Sequence, residues 1–423
     1  MATTCVKDVK LRRPASVGLV SLAAALLISA CGSGSESTPS SGAAPQNAAQ
    51  NSAQDTEWLE AAELVAAPGG EAALAVEAIR EIPADGLISA RRTRQMVVFG
   101  DSLSDVGTYQ VGFIAQVGGG KFTTNPGPVW AETLGVLMRA RVTPYRQGFG
   151  GASKVLGGSG FAMGGARISQ QPGIGCVPSP DPTGACTAAL TIPVTQQVSD
   201  YLAANGDRFN RDQLVFLLAG ANDIFFQLGV FQAKVTACFS LPQSEIQPCV
   251  DQAPNEPLAA VQKAAFELAG QVQRIRGKGA TRVAVLNLPE LSETPFGNSP
   301  QAAPVRPLIA GMVQLFNGTL AAALQGTGAT LLDFHAEFMR VIENPHAYLV
   351  REINVPACDA AKIAAITENV EQSGSSLFCS RQTLLQNGAA ITYLFADSVH
   401  PTTLGHLIVT RFVLIEVWKR GLL

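Results

Sequence analysis

Four short apolar runs limit what this chain can fold into: Met96 to Phe99, Leu214 to Ala219, Val283 to Leu288 and Thr330 to Phe334, each bounded by Gly, Pro, Asn or Asp. They are rich in aliphatic and β-branched residues and lack polar alternation, which predicts strands buried on both faces. Helical patterns over Thr195 to Ala204, Leu258 to Ile275, Pro304 to Leu324 and Leu404 to Lys419 separate or follow them. The alternation predicts an α/β fold: a three-layer α/β/α sandwich with a mostly parallel sheet, occupying residues 95–423. Ligands of such sheets bind beyond the carboxyl ends of the strands. Polar residues at those ends are therefore the first candidates for chemistry. Two long Gly- and Pro-rich insertions, Gly118 to Gly160 and Gln170 to Ile192, read as loops of the kind that gather over active sites.

The first run stops at Gly100 and is followed by Asp101-Ser102, which reads as the opening of a helix. Taken alone, Ser102 is as good a helix cap as a nucleophile. Three other stretches supply what a nucleophile needs. In Phe161 to Arg167 the adjacent Gly164 and Gly165 allow a sharp turn with bare amide hydrogens, although an ordinary turn reads the same way. Gly220-Ala221-Asn222-Asp223 follows the second run, so Asn222 either donates from its side chain or caps the next helix. Asp397-Ser398-Val399-His400-Pro401 puts a carboxylate and an imidazole three residues apart in a turn. One ring nitrogen can then meet the carboxylate while the other faces a nucleophile. The chain has four histidines in all, and His335, His346 and His406 sit where structural roles are expected. A metal site from Asp397, His400 and His406 would lack further ligands, and no His-Glu-x-x-His occurs. Together the pieces are the equipment for acyl transfer.

Residues 1–30 are expected to be an export signal: Lys7, Lys10, Arg12 and Arg13 precede the apolar run Val17 to Ile28, which is short for a membrane span. The signal ends in Leu27-Ile28-Ser29-Ala30-Cys31, which resembles a bacterial lipobox and makes Cys31 a lipidation site; an ordinary secretory signal is the alternative. Gly32 at the next position is the type that, in such lipoproteins, favours the outer membrane. Residues 31–54 are too poor in apolar bulk to fold and read as a tether. Residues 55–94 carry two short helical patterns, Thr56 to Val65 and Glu71 to Ile82. Export fits the cysteines. Apart from Cys5 and Cys31, six remain: Cys176, Cys186, Cys238, Cys249, Cys358 and Cys379. Fifteen pairings are possible, and the short loops between sequence neighbours favour three local disulfides, each adding about 2 to 3 kcal/mol. A net charge of −3 shows no basic excess of the kind that points to nucleic acid.

At these residues the chain resembles the GDSL, or SGNH, hydrolase family. Gly100-Asp101-Ser102-Leu103-Ser104-Asp105-Val106-Gly107 matches its first block, Phe161 to Arg167 its second, Gly220 to Asp223 its third and Asp397 to His400 its last. Thr108 and Gly160 depart from residues common there, both usually Asn. The resemblance implies a flavodoxin-like sheet and a serine esterase without metal or cofactor. In it Ser102 attacks an ester, His400 moves the proton and Asp397 orients His400, while the oxyanion is held by the amides of Ser102 and Gly164 and the side chain of Asn222. Some relatives continue into a membrane β-barrel; here the residues after His400 suffice for one helix, so lipid on Cys31 is the expected anchor.

The expected activity is hydrolysis of acyl lipids, including phospholipids and lysophospholipids, or of small esters, by a monomer at the bacterial envelope. Deacetylation of envelope polysaccharide uses the same machinery, and a non-catalytic binding lipoprotein is the reading from another class. Phe113, Ile114, Val117, Phe122, Phe225, Phe226 and Phe231 lie near the blocks in sequence and suit an acyl chain, though the same residues would serve a core.

Overall fold

A computed structural model of the chain describes residues 95–180, 185–368 and 374–423. The expected signal, Cys31, the tether and the helical extension of 55–94 lie outside them.

Each of the four apolar runs forms a strand. β1 (Gln95–Gly100) begins the fold, followed by α1 (Gly112–Gln116), α2 (Trp130–Leu137) and a hairpin of β2 (Arg146–Phe149) and β3 (Ala152–Val155). Next come α3 (Val194–Ala204), β4 (Gln213–Leu218), α4 (Ala221–Cys238), α5 (Gln243–Gln252), α6 (Asn255–Gly277) and β5 (Arg282–Leu286). The chain closes with α7 (Arg306–Ala323), β6 (Thr330–Leu332), α8 (Phe334–Glu343), α9 (Ala360–Thr367) and α10 (Thr403–Lys419). The sheet is parallel throughout, in the order β1-β4-β5-β6.

Every residue of β4 is buried, so both faces of the sheet are covered. Helices α3, α4, α6 and α7 pack on one another, and α2, α8 and α10 form a second group. The expected α/β architecture is the observed one. Two expectations change. The run from Thr330 is a strand only to Leu332, because Asp333 caps α8 by accepting the amide of Ala336. The first long insertion is not all loop: it contains α2 and the hairpin, and α2 is buried against α10 through Trp130, Ala131 and Leu134. Tertiary burial, not local propensity, makes that short helix.

The outer edge of β1 is occupied by the second glycine-bearing stretch. Val98 exchanges main-chain bonds with Ser159 and Phe161, and the Met163 amide reaches Gly100 O at 3.1 Å. That stretch thus runs alongside β1 and delivers Gly164 and Gly165 to the strand's carboxyl end.

The three local disulfides form as the spacing predicts: Cys176–Cys186, Cys238–Cys249 and Cys358–Cys379.

Candidate active site

The serine is set by the way β1 ends. Gly100 has φ +151°, and a Cβ there would lie 2.1 Å from Leu218 O, so glycine alone lets the ends of β1 and β4 close up. Beyond Gly100 the chain forms not a full helix but a single 3₁₀ turn, Ser102–Ser104, capped by Asp101 Oδ1, which accepts the Leu103 amide at 3.1 Å. Ser102 is 7% exposed. Among the described residues no group accepts its backbone amide.

Across from it, Asp397 organises the histidine. Its Oδ1 accepts the amides of Val399 (2.9 Å) and His400 (2.7 Å). Its Oδ2 accepts His400 Nδ1 (2.8 Å) and the amide of Ser376 (2.7 Å). A carboxylate only accepts, so Nδ1 carries the ring proton and Nε2 offers a lone pair. Nε2 lies 2.8 Å from Ser102 Oγ. Burial works to raise the Asp397 carboxyl, but the nearby His400 and these hydrogen bonds outweigh it and hold the group down to about 2. The Phe122 ring lies 4.9 Å from the imidazole, centroid to centroid, and shields this side. The structure therefore brings Ser102, His400 and Asp397 into one relay.

The donors expected around the serine need one correction. The Gly164 amide is not offered to the site: it donates to Asp105 Oδ2 at 2.8 Å. Asp105, fully buried, also accepts the amides of Gly107 (2.9 Å) and Thr108 (2.7 Å), which ties the first block to the second. Burial pushes this carboxyl up to about 6 against the pull of those bonds. The next amide, that of Gly165, meets no acceptor among the described residues. Adjacent glycines look alike in sequence; only the direction of each N–H separates them.

Asn222 lies where expected, at the start of α4 and buried, with one Nδ2 hydrogen on Ala166 O at 2.9 Å. An amide group has a second hydrogen to give. Next to it Asp223 pairs with Arg167 at 3.3 Å, accepts the Ile168 amide at 3.0 Å and is 3% exposed. These contacts clasp the second block to the third. Phe226 covers the Arg167 guanidinium at 4.0 Å.

The other histidines keep out of the relay. His406 is buried in α10, accepts the Trp130 amide on Nδ1 at 3.3 Å and turns Nε2 toward Phe122 O at 3.4 Å, and burial drives it down to about 3. It therefore does not join Asp397 and His400 around a metal. His335 pairs with Glu290 at 3.3 Å, and that hydrogen bond raises it.

Of the aromatic candidates, Phe122 packs on a relay residue. Phe225 packs on Phe296 at 5.5 Å, and Phe113 is 49% exposed. Sequence reasoning misses Ser376 because it contributes only a main-chain N–H, which has no residue-type signature.

Residues 96–413 match the family described as GDSL-like lipase/acylhydrolase. The chain is similar to the anther-specific proline-rich protein APG of Brassica napus, 27% identical over 147 residues, or 33% of this chain and 30% of that protein. It is also similar to an uncharacterized protein in the trpE-trpG intergenic region of Pseudomonas putida, 26% identical over 360 residues, or 78% of this chain and 50% of that one. The matches span at most half the length of these relatives.

Proposed function

Because this chain belongs to the GDSL-like lipase/acylhydrolase family, we propose that it hydrolyses carboxylic esters through an acyl-enzyme on Ser102. The observation that carries the reading is the unbroken relay from Ser102 Oγ to His400 Nε2 and from His400 Nδ1 to Asp397. His400 takes the Ser102 proton as Oγ attacks the carbonyl, then gives it to the departing alcohol. Water repeats the sequence in reverse to free the acid, and Asp397 holds the tautomer throughout. Negative charge on the carbonyl oxygen is met by the amides of Ser102 and Gly165 and by the second Nδ2 hydrogen of Asn222. Gly165 here replaces Gly164, whose amide Asp105 engages.

The substrates we propose are acyl lipids or small esters. Phe122 supports this by presenting an apolar wall beside His400. The envelope location rests on the lipobox-like ending at Cys31. No helix among the described residues is long and apolar enough to cross a membrane.

The test is a panel of p-nitrophenyl esters from short to long acyl chains, with a phospholipid and an acetylated glycan, on the wild type and Ser102→Ala. Hydrolysis lost by about 10⁴-fold or more in the variant, with an unchanged melting temperature, is expected. A variant as active as the wild type would remove the serine from the reaction. Preference for the glycan would replace lipid by polysaccharide.

A further inference from the structure

The net charge of −3 conceals a strongly uneven distribution. At the amino-terminal edge of the sheet, opposite the end that carries Ser102, arginine and lysine dominate. A cavity of about 450 Å³ opens there, lined by the strand starts Gln95 and Gln213 and by the exposed Arg139 and Arg141. Gln95 meets Asn210 at 3.5 Å, between the exposed Arg208 and Arg211. Arg211 O in turn accepts Thr281 Oγ1 at 2.7 Å, beside Arg282. Arg282 donates to Asp212 O and to Leu422 O, which brings in the exposed Lys419 and Arg420. Hydrogen bonds thus run from the start of β1 past β4 to β5, with the basic residues set along them.

Among the described residues, the acidic groups on this edge are mostly paired. Asp207 pairs with Lys278, and Glu416 pairs with Lys419 and Arg420. Asp212 is exposed. Arg276 gives its hydrogens to the carbonyls of Ala280, Thr281 and Thr327, which leaves its charge in place. The chain enters the described fold on this same edge, at Gln95.

We propose that this edge is a docking surface for an anionic phospholipid bilayer. Lys and Arg near a negative bilayer are attracted cumulatively, within a Debye length of its surface. A membrane is favoured over other polyanions because Cys31, the expected lipid attachment, lies on the segment of chain that joins the fold at this edge. The inference rests on the envelope reading given above and adds an orientation to it. With the basic edge down, the carboxyl ends of the strands point away from the bilayer. Ser102 then takes esters from the aqueous side instead of from the leaflet beneath it.

The experiment uses the mature chain from residue 31 with Cys31→Ser, so that neither the export signal nor an attached lipid contributes. Its retention on phosphatidylcholine vesicles is compared with that on vesicles containing about 30% phosphatidylglycerol. At low salt the anionic vesicles are expected to hold it at least about tenfold better, and the ratio should collapse toward one in about 0.5 M salt. Adding R139Q, R141Q, R208Q and R211Q should reduce the ratio by about tenfold or more while leaving hydrolysis of p-nitrophenyl butyrate unchanged. A ratio of one in the parent, or no change in the arginine variant, overturns the proposal. Retention by soluble polyphosphate or DNA but not by anionic vesicles overturns the membrane as partner. Ester hydrolysis should continue at the same rate on the vesicle-bound enzyme; loss on binding would overturn the orientation. Absence of hydrolysis in solution as well would count against the esterase reading alone, because the binding ratio is read independently.

Discussion

Asp101 and Asp397 are both buried at the carboxyl end of the sheet, yet they are held in opposite states. Asp397 receives the amides of Ser376, Val399 and His400 together with the imidazole N–H, and stays ionised down to about 2. Asp101 receives only the Leu103 amide on Oδ1, and its Oδ2 has no partner among the described residues. Burial therefore prevails and pushes Asp101 up to about 7. Donors alone do not decide the state, since Asp105 accepts three amides and is still pushed up; what Asp397 has besides its amide donors is the directly bonded His400. The histidine side of the site is stabilised by a fixed negative charge, whereas the serine side keeps its neighbouring carboxyl neutral over much of the acid range.

The largest effect should come from removing the charged member. Asp397→Asn keeps the volume but offers an N–H where the imidazole N–H must go, so His400 loses the tautomer that accepts the Ser102 proton. A fall in kcat of about 10⁴-fold is expected, with KM little changed, measured on a short p-nitrophenyl ester. A fall of less than tenfold would mean that the four-donor arrangement stabilises the fold and not the reaction.

Asp101→Asn should act on stability through pH. The folded protein keeps the Asp101 proton up to about pH 7, while the unfolded chain releases it near 3.9. Between these values the folded state binds more protons, so wild-type stability declines as pH rises through the window. The full decline amounts to about 4 kcal/mol. The asparagine variant lacks this slope, so its melting temperature relative to the wild type should rise from pH 4.5 to 7.5. Parallel profiles for the two proteins would show that Asp101 is ionised throughout.

The contrast between the two carboxyls also marks what the amino-acid sequence alone makes legible. Ser102, Asp397 and His400 were legible because each stands in a short local pattern: a strand ending in Gly, or Asp and His three apart before a helix-starting Pro. The four core strands were legible because a buried parallel sheet leaves nearly unbroken apolar runs. The donors were not. Ser376 reaches Asp397 across 21 residues with a main-chain amide, and nothing in a serine's identity announces that. The direction of the Gly164 amide depends on Asp105, in a different block. The helix α2 escaped because Pro126, Gly127 and Pro128 precede it and its burial comes from α10, far away in the chain.

The remaining way to sharpen the comparison is to loosen the loop that supplies the Ser376 donor. Cys358–Cys379 closes that loop, and the Cys358 amide donates to Ala396 O at 3.0 Å, one residue before Asp397. Cys379 follows directly on the turn Ser376–Phe378 and donates its amide to Ser376 O at 2.9 Å. Both half-cystines thus lie one hydrogen bond from the groups that fix Asp397. Cys238–Cys249 is a useful control, since it joins the end of α4 to α5 beside Phe239, which is 59% exposed. Replacing either pair by alanine should cost about 2 to 3 kcal/mol in unfolding experiments, because loop-closure entropy changes only slowly between separations of 11 and 21 residues. Only the Cys358→Ala/Cys379→Ala protein should also lose kcat, by about tenfold to a hundredfold, as Asp397 gains freedom to misplace His400. If the two double variants lose stability alike and neither loses kcat, the amides of Val399 and His400 suffice to hold Asp397, and the ionised state is built within the last turn alone.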